Sequence, residues 1–243
     1  MIGASIGAVR LTLVLLAIAF GALACVFAGL LGARAFAWLA MNWHRCVARL
    51  LGVRACYRGA ALARGALLVS NHISWLDIPL FGGRWPLTFL GNREITRWPV
   101  LGWVFKRSGT LFIERGKGAK RAVAEIGAAL RRGRSVMLFP EGRTTDGRSV
   151  LRFQPRLMQA AIDAAAPLQP AAIRYFDAAG RRVTRHSFAG DATLLASAWR
   201  TAVGARITAE ITLFEPLHAA GDDAQRQALA DQAEAAVRAL VEK

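Results

Sequence analysis

The hydrophobic pattern along this chain has three regimes. From Leu11 to Ala33 the residues are uncharged and mostly apolar, 23 in succession. As a helix this run is long enough to cross a hydrocarbon core of about 30 Å. From about Phe36 to Leu51 the pattern turns amphipathic. Leu39, Trp43, Cys46, Val47 and Leu50 share one face at helical spacing, and Asn42, Arg45 and Arg49 share another. Trp38 and Trp43 suit the headgroup level of a bilayer. Beyond that, short apolar β-rich runs alternate with helical patterns. Strands are predicted at 67–70, 87–90, 110–113, 136–139, 171–175 and 206–214, and helices at 117–132, 156–166, 192–203 and 223–241. This alternation predicts an α/β fold: a largely parallel, mixed sheet flanked by helices, with an N-terminal membrane-associated helical segment.

Charge sharpens the picture. The formal net charge is +16, and no acidic residue precedes Asp77, whereas Arg10, Arg34, Arg45, Arg49, Arg54, Arg58 and Arg64 do. Such an excess attracts polyanions. Arginines beside an apolar segment favour anionic membrane lipid, at roughly 1 kcal/mol each near an anionic leaflet. No zinc-finger, basic-zipper or RNP-type motif supports nucleic acid, and none is expected as a partner. A cleaved leader would not need the apolar run to continue past Cys25. The Arg-rich stretch after the run puts the following domain on the cytoplasmic side of the inner membrane. Arg10 pulls the other way, so the chain crosses once, or dips in and returns with the second helix. Three scattered cysteines, at 25, 46 and 56, give neither a disulfide framework nor a metal site.

The candidate chemistry lies where predicted strands end. His72 follows one strand and is separated by four residues from Asp77. A near-neutral imidazole can take a proton from a hydroxyl as that oxygen attacks. A carboxylate on the other ring nitrogen fixes the tautomer and supports the imidazolium. Arg115 follows a second strand and Glu141 a third, and sheets of this kind gather functional groups at the carboxyl ends of their strands. Two rivals are weaker. The one G-x-S-x-G, Gly3-Ala4-Ser5-Ile6-Gly7, follows no strand, and Ser74 offers only local bonding. The histidines at 44, 72, 186 and 218 form no H-E-x-x-H pair, and His186 and His218 read as surface or packing residues. No metal or cofactor is implied.

Four blocks, in order, carry a resemblance: Asn71-His72 through Asp77; Gly109-Thr110-Leu111-Phe112-Ile113-Glu114-Arg115; Phe139-Pro140-Glu141-Gly142; and Gln169-Pro170-Ala171-Ala172. Together they resemble the glycerolipid acyltransferases of the 1-acylglycerol-3-phosphate acyltransferase type, over roughly residues 65–215. The resemblance implies transfer of an acyl group from an acyl thioester, acyl-CoA or acyl carrier protein, to the free hydroxyl of a lysolipid acceptor, most directly 1-acylglycerol-3-phosphate. It implies His72 as base with Asp77 as its partner, Arg115 on the acceptor phosphate, and Glu141, Gly142 and Arg143 around the acceptor. Direct attack without an acyl-enzyme is expected, since no placed Ser or Cys nucleophile is visible. Membrane-anchoring helices are expected over 1–55 and the acyltransferase domain over 56–243. Two departures flank the acceptor region. Arg143-Thr144 stands where the family commonly has Thr-Arg, and Pro155 stands where Gly is common. Gly190-Asp191-Ala192-Thr193 before a Trp-containing helix is similar to bacterial branches that acylate lyso-ornithine lipid. A non-catalytic lipid-binding protein of the same fold is the alternative of a different class.

Overall fold

The computed structural model describes residues 2–114, 118–188, 193–218 and 224–243. Seven strands form one sheet: β1 (Val53–Gly59), β2 (Leu67–Ser70), β3 (Leu87–Asn92), β4 (Leu111–Ile113), β5 (Ser135–Leu138), β6 (Leu168–Phe176) and β7 (Ile207–Leu213). Their spatial order is β1-β7-β6-β2-β5-β3-β4. Every neighbouring pair is parallel except β6 with β7. The predicted mixed, largely parallel α/β fold is therefore what forms.

Eight α-helices accompany the sheet among the described residues: α1 (Ile2–Val26), α2 (Ala28–Leu50), α3 (Asp77–Gly82), α4 (Leu101–Arg107), α5 (Ala119–Arg131), α6 (Gln159–Asp163), α7 (Leu194–Val203) and α8 (Ala224–Val241). The sheet separates two cores because strand side chains alternate between its faces. Leu68 of β2 joins Val14, Val47, Leu51, Phe81 and Ala202 in one layer. Leu67 and Val69 join Ile126, Met158, Leu229, Ala233 and Val237 in the other. Central strands covered on both faces read as continuous apolar runs, which is why β2 is buried at every position.

Several elements differ from their predicted form. The apolar run from Leu11 to Ala33 is not one helix. The chain breaks at Phe27 and bends again at Gly32, whose φ of +67° glycine adopts readily. Hydropathy alone does not register such a turn. The indole N–H of Trp43 donates to the Ala17 carbonyl of α1 at 2.6 Å, while Trp38 remains 68% exposed. The helix predicted over 156–166 is a 3-10 turn at Pro155–Met158 followed by the short α6. Strand β1 and helices α3 and α4 have no counterpart in the sequence reading. β1 is an edge strand carrying Arg54 and Arg58, and α3 and α4 are short.

Helix α1 is docked at its start. Arg10 donates to the carbonyls of Ala202 (2.8 Å) and Gly204 (2.9 Å) at the C-terminal end of α7, where a cation also meets the helix dipole favourably. Edge strand β1 closes on β7 through Gly59, where φ is +82° and an added Cβ would lie 2.0 Å from the Leu213 carbonyl oxygen. Gly59→Ala combines backbone strain with overpacking, and it is expected to cost about 2–4 kcal/mol. The midpoint of urea unfolding measures this; an unchanged midpoint would contradict the close approach.

Candidate functional site

The site is assembled where β2 ends. Past Ser70, β2 has no further ladder partner on β6, but the buried Asn71 side chain continues the pairing. Its amide donates to the Ile173 carbonyl at 3.0 Å and its oxygen accepts from the Ile173 N–H at 2.9 Å. That clamp fixes the backbone that presents His72. The chain then turns through Ser74, whose carbonyl accepts from the Asp77 N–H at 3.0 Å, and starts α3 at Asp77.

This turn brings His72 and Asp77 together. Their Nδ1 and Oδ2 atoms are 2.7 Å apart. The same Oδ2 accepts the N–H groups of Ile73 (2.8 Å) and Ser74 (3.0 Å). Oδ1 accepts the hydroxyl of Tyr175 at 2.6 Å. Asp77 has no exposed side-chain surface, and His72 retains 18%. Burying a carboxylate is costly unless donors surround it, and here four do. With Asp77 as acceptor, the imidazole carries its proton on Nδ1, leaving the Nε2 lone pair for another partner.

A parallel neighbour completes the arrangement. β5 lies beside β2 and ends at Leu138, so Phe139-Pro140-Glu141-Gly142 follows at the level of His72. The Phe139 ring stacks on the imidazole with centroids 3.9 Å apart and planes 11° from parallel. Glu141 is buried and bridges two backbone segments: Oε1 accepts the His72 N–H at 2.8 Å and Oε2 the Leu151 N–H at 3.1 Å. Gly142 takes φ +71°, and a Cβ there would meet nothing within 4 Å. The left-handed backbone, not lack of room, accounts for this glycine.

His72 and Phe139 line a cavity of about 1930 Å³. Its lining is largely apolar, with Leu15, Ile18, Ala24, Phe36 and Leu39 of α1 and α2 and Phe89 and Phe105 of the domain. The same lining includes the polar residues Thr144, Gln154, Arg143, Arg156 and Arg226, beside Gly142. Arg143 and Arg156 are exposed, and neither is held in an ion pair among the described residues.

The geometry therefore joins His72, Asp77 and Glu141 in one hydrogen-bonded cluster, with Gly142 and Arg143 on the cavity wall. Arg115 lies outside the described residues, as do Gly190, Asp191 and Ala192; Glu114, just before Arg115, lines the cavity. Ser74 is fully buried, with its Oγ accepting from the Leu76 N–H at 3.4 Å. Ser5 lies within α1. His186 is a core residue: Arg185 donates to its Nε2 at 2.9 Å, and burial lowers it to about 4. Sequence reasoning missed Tyr175, Arg156 and the clamp made by Asn71. Asn71 adjoins His72 and was visible as a buried amide at a strand end; nothing local pointed to Tyr175.

Comparison with known proteins agrees with this geometry. A family model described as Acyltransferase matches residues 53–174. A lyso-ornithine lipid O-acyltransferase of Pseudomonas aeruginosa is 42% identical over 202 residues, covering 83% of this chain and 75% of the relative. A 1-acyl-sn-glycerol-3-phosphate acyltransferase of Neisseria gonorrhoeae is 38% identical over 182 residues, covering 73% and 69%. The crystal structure of the 1-acyl-sn-glycerophosphate acyltransferase PlsC from Thermotoga maritima superposes with a TM-score of 0.66 over 98% of both chains. At 18% identity that likeness establishes a shared fold.

Glu141 yields a pH prediction. Burial pushes its carboxyl from 4.5 up to about 7, against the pull of the Leu151 and His72 N–H donors. The folded chain then holds this proton more tightly than the unfolded chain. Stability falls as pH rises from 4.5 to about 7 and levels off above, by about 3 kcal/mol at about 1.4 per unit. Glu141→Gln is expected to abolish this part of the slope in urea unfolding between pH 4.5 and 8. A variant with the wild-type slope would contradict it.

Proposed function

Because the chain belongs to the acyltransferase family, we propose that it moves a fatty acyl group from an acyl thioester, acyl-CoA or acyl carrier protein, to the free hydroxyl of a lysolipid. The observation that carries this reading is His72, paired with Asp77, in the wall of a cavity whose lining is mostly apolar and also carries arginines. An acyl chain fits the apolar surface and an anionic headgroup the arginines.

In this reaction the Nε2 lone pair of His72 takes the acceptor hydroxyl proton as that oxygen attacks the thioester carbonyl. Asp77 stabilises the imidazolium that results. When the tetrahedral intermediate collapses, the carbon–sulfur bond breaks and the imidazolium returns its proton to the departing thiolate. The products are an ester and a free thiol, so no acyl-enzyme is needed. Glu141 works from behind by holding the His72 and Leu151 backbones.

The acceptor that suits these arginines best is 1-acylglycerol-3-phosphate. Guanidinium groups bind phosphate through two parallel bonds, and Arg143 and Arg156 stand there with Arg115 expected to join them. Lyso-ornithine lipid is the second reading. It is favoured by the 42% identity to an enzyme with that name and by the Glu114 carboxylate in the same cavity, a partner for an ammonium group.

Membrane attachment follows from α1. The segment Ala4–Val26 has a mean hydropathy of 2.4, and Ile6, Val9, Leu13, Leu16, Phe20 and Leu23 form an exposed stripe along it. Since α1 is docked on α7 by Arg10 and packs on α2 and α4, we read it as lying in one leaflet with α2 returning. Trp98, just before α4, and Trp103 within it are both exposed and would meet the same surface. The reading sets the domain on the cytoplasmic face of the inner membrane, against anionic lipid.

Acyl transfer from one acyl-CoA to a panel of lysolipids tests the proposal. His72→Ala is expected to lose at least about a thousandfold in kcat, as when a base is removed from such a pair, while staying folded. Arg115→Ala and Arg156→Ala are expected to raise the acceptor KM about tenfold or more, the loss of a charge-assisted bond. Full activity in His72→Ala would refute the mechanism. Unchanged acceptor KM in both arginine variants would refute the headgroup site.

A further inference from the structure

Asp77 is held asymmetrically. Its Oδ2 accepts three hydrogen bonds, from His72 Nδ1, the Ile73 N–H and the Ser74 N–H. Its Oδ1 accepts one, from the Tyr175 hydroxyl at 2.6 Å. Asp77 has no exposed surface and Tyr175 only 1%, so water cannot replace that donor.

Tyr175 owes this position to sheet register. β2 pairs with β6 up to Ser70 opposite Ala171. β6 runs on to Phe176, secured on its other side by β7, with Tyr175 opposite Ala209. Ala171, Ile173 and Tyr175 point to the same face, as alternate residues do. β6 therefore supports the His72 loop at two points. The Ile173 backbone holds Asn71, and the Tyr175 ring reaches under α3 to Asp77.

The torsion that turns a carboxylate about its own axis is soft. The two backbone donors and His72 all converge on one oxygen, so without a fourth donor nothing holds the other oxygen as the carboxylate rocks on that torsion. The Tyr175 hydroxyl removes this freedom. A rigid ring packed in the core orients a hydrogen bond with little loss of rotamer freedom. The direction of the bond is also settled: burial, and then the neighbouring Asp77 charge, push the phenol well above its usual value of 10, so the phenol donates and the carboxylate accepts. Tyr175 is not among the residues lining the cavity. Its proton is engaged by Asp77 and cannot serve an oxyanion.

We propose that Tyr175 is a positioning residue for acyl transfer: its hydroxyl fixes the Asp77 carboxylate in the orientation in which that carboxylate steers His72. This rests on the reading of His72 as the base.

Tyr175→Phe keeps the ring and deletes only the donor. The expected result is a fall in kcat of about tenfold to a hundredfold, the range for partners that orient a functional histidine, with the acceptor KM unchanged. The acidic limb of kcat/KM is expected to move to higher pH. A carboxylate that has lost a donor is a stronger partner for imidazolium. A purely structural tyrosine would lower the melting temperature and leave kcat and the limb where they are; that outcome overturns the proposal. Should the phenylalanine variant not fold, 3-fluorotyrosine at position 175 retains the bond and makes the phenol a stronger donor. The limb is then expected to move to lower pH, and an unmoved limb overturns the proposal. His72→Ala run in parallel separates the two failures. An active His72→Ala removes the base, and the role of Tyr175 with it. An inactive one beside a wild-type Tyr175→Phe removes only the role of Tyr175.

Discussion

A carboxylate without any exposed surface constrains everything around it. Moving such a charge out of water costs several kcal/mol unless donors replace the solvent, and Asp77 collects four. These donors come from different parts of the chain. Two are backbone N–H groups of the turn between β2 and α3, one is the imidazole, and one is a phenol on β6. Satisfying the charge therefore sets the shape of the turn, the ring plane of His72 and the approach of β6 together. The parallel order β6-β2-β5 makes this possible, because β2 and β5 end at one level while β6 runs on beside them. Glu141 and Phe139 then bear on His72 from β5, through the backbone and through the ring face.

The cavity extends that logic to the substrate. Its lining comes both from the α/β domain and from α1 and α2. The same hairpin turns an apolar stripe outward and contributes Val14, Val47 and Leu51 to a core layer of the domain. The lining thus offers apolar surface together with His72 and arginines in one cavity. Two of these guanidiniums stay unpaired among the described residues, which suits a site whose counter-charge arrives with the acceptor.

Much of this was legible in the sequence, for physical reasons that differ by residue. β2, β5 and β6 were visible because strands covered on both faces are rich in apolar residues. β1 was not, because an edge strand tolerates Arg54 and Arg58 and takes its identity from pairing with β7. The N-terminal run was visible as apolar, but its fold into two helices depends on the break at Phe27 and the bend at Gly32. The partner of the Trp43 indole, a carbonyl on α1, needed the pairing of the two helices. The His72–Asp77 pair was readable because one turn closes it. Glu141 was readable as a carboxylate after a strand, yet its bridging of two backbone segments needed the register of β2 and β5. Tyr175 lies 98 residues beyond Asp77, and only the β2–β6 pairing brings the two together.

The central claim is that Asp77 dictates which ring nitrogen of His72 carries the proton. Nitrogen-15 NMR of the labelled histidine side chain in the folded full chain reads this directly. The expected result is a neutral imidazole protonated at Nδ1, with its unprotonated Nε2 responding to added lysolipid acceptor, and loss of that preference in Asp77→Asn. A neutral His72 protonated at Nε2 in the unmodified chain would contradict the claim.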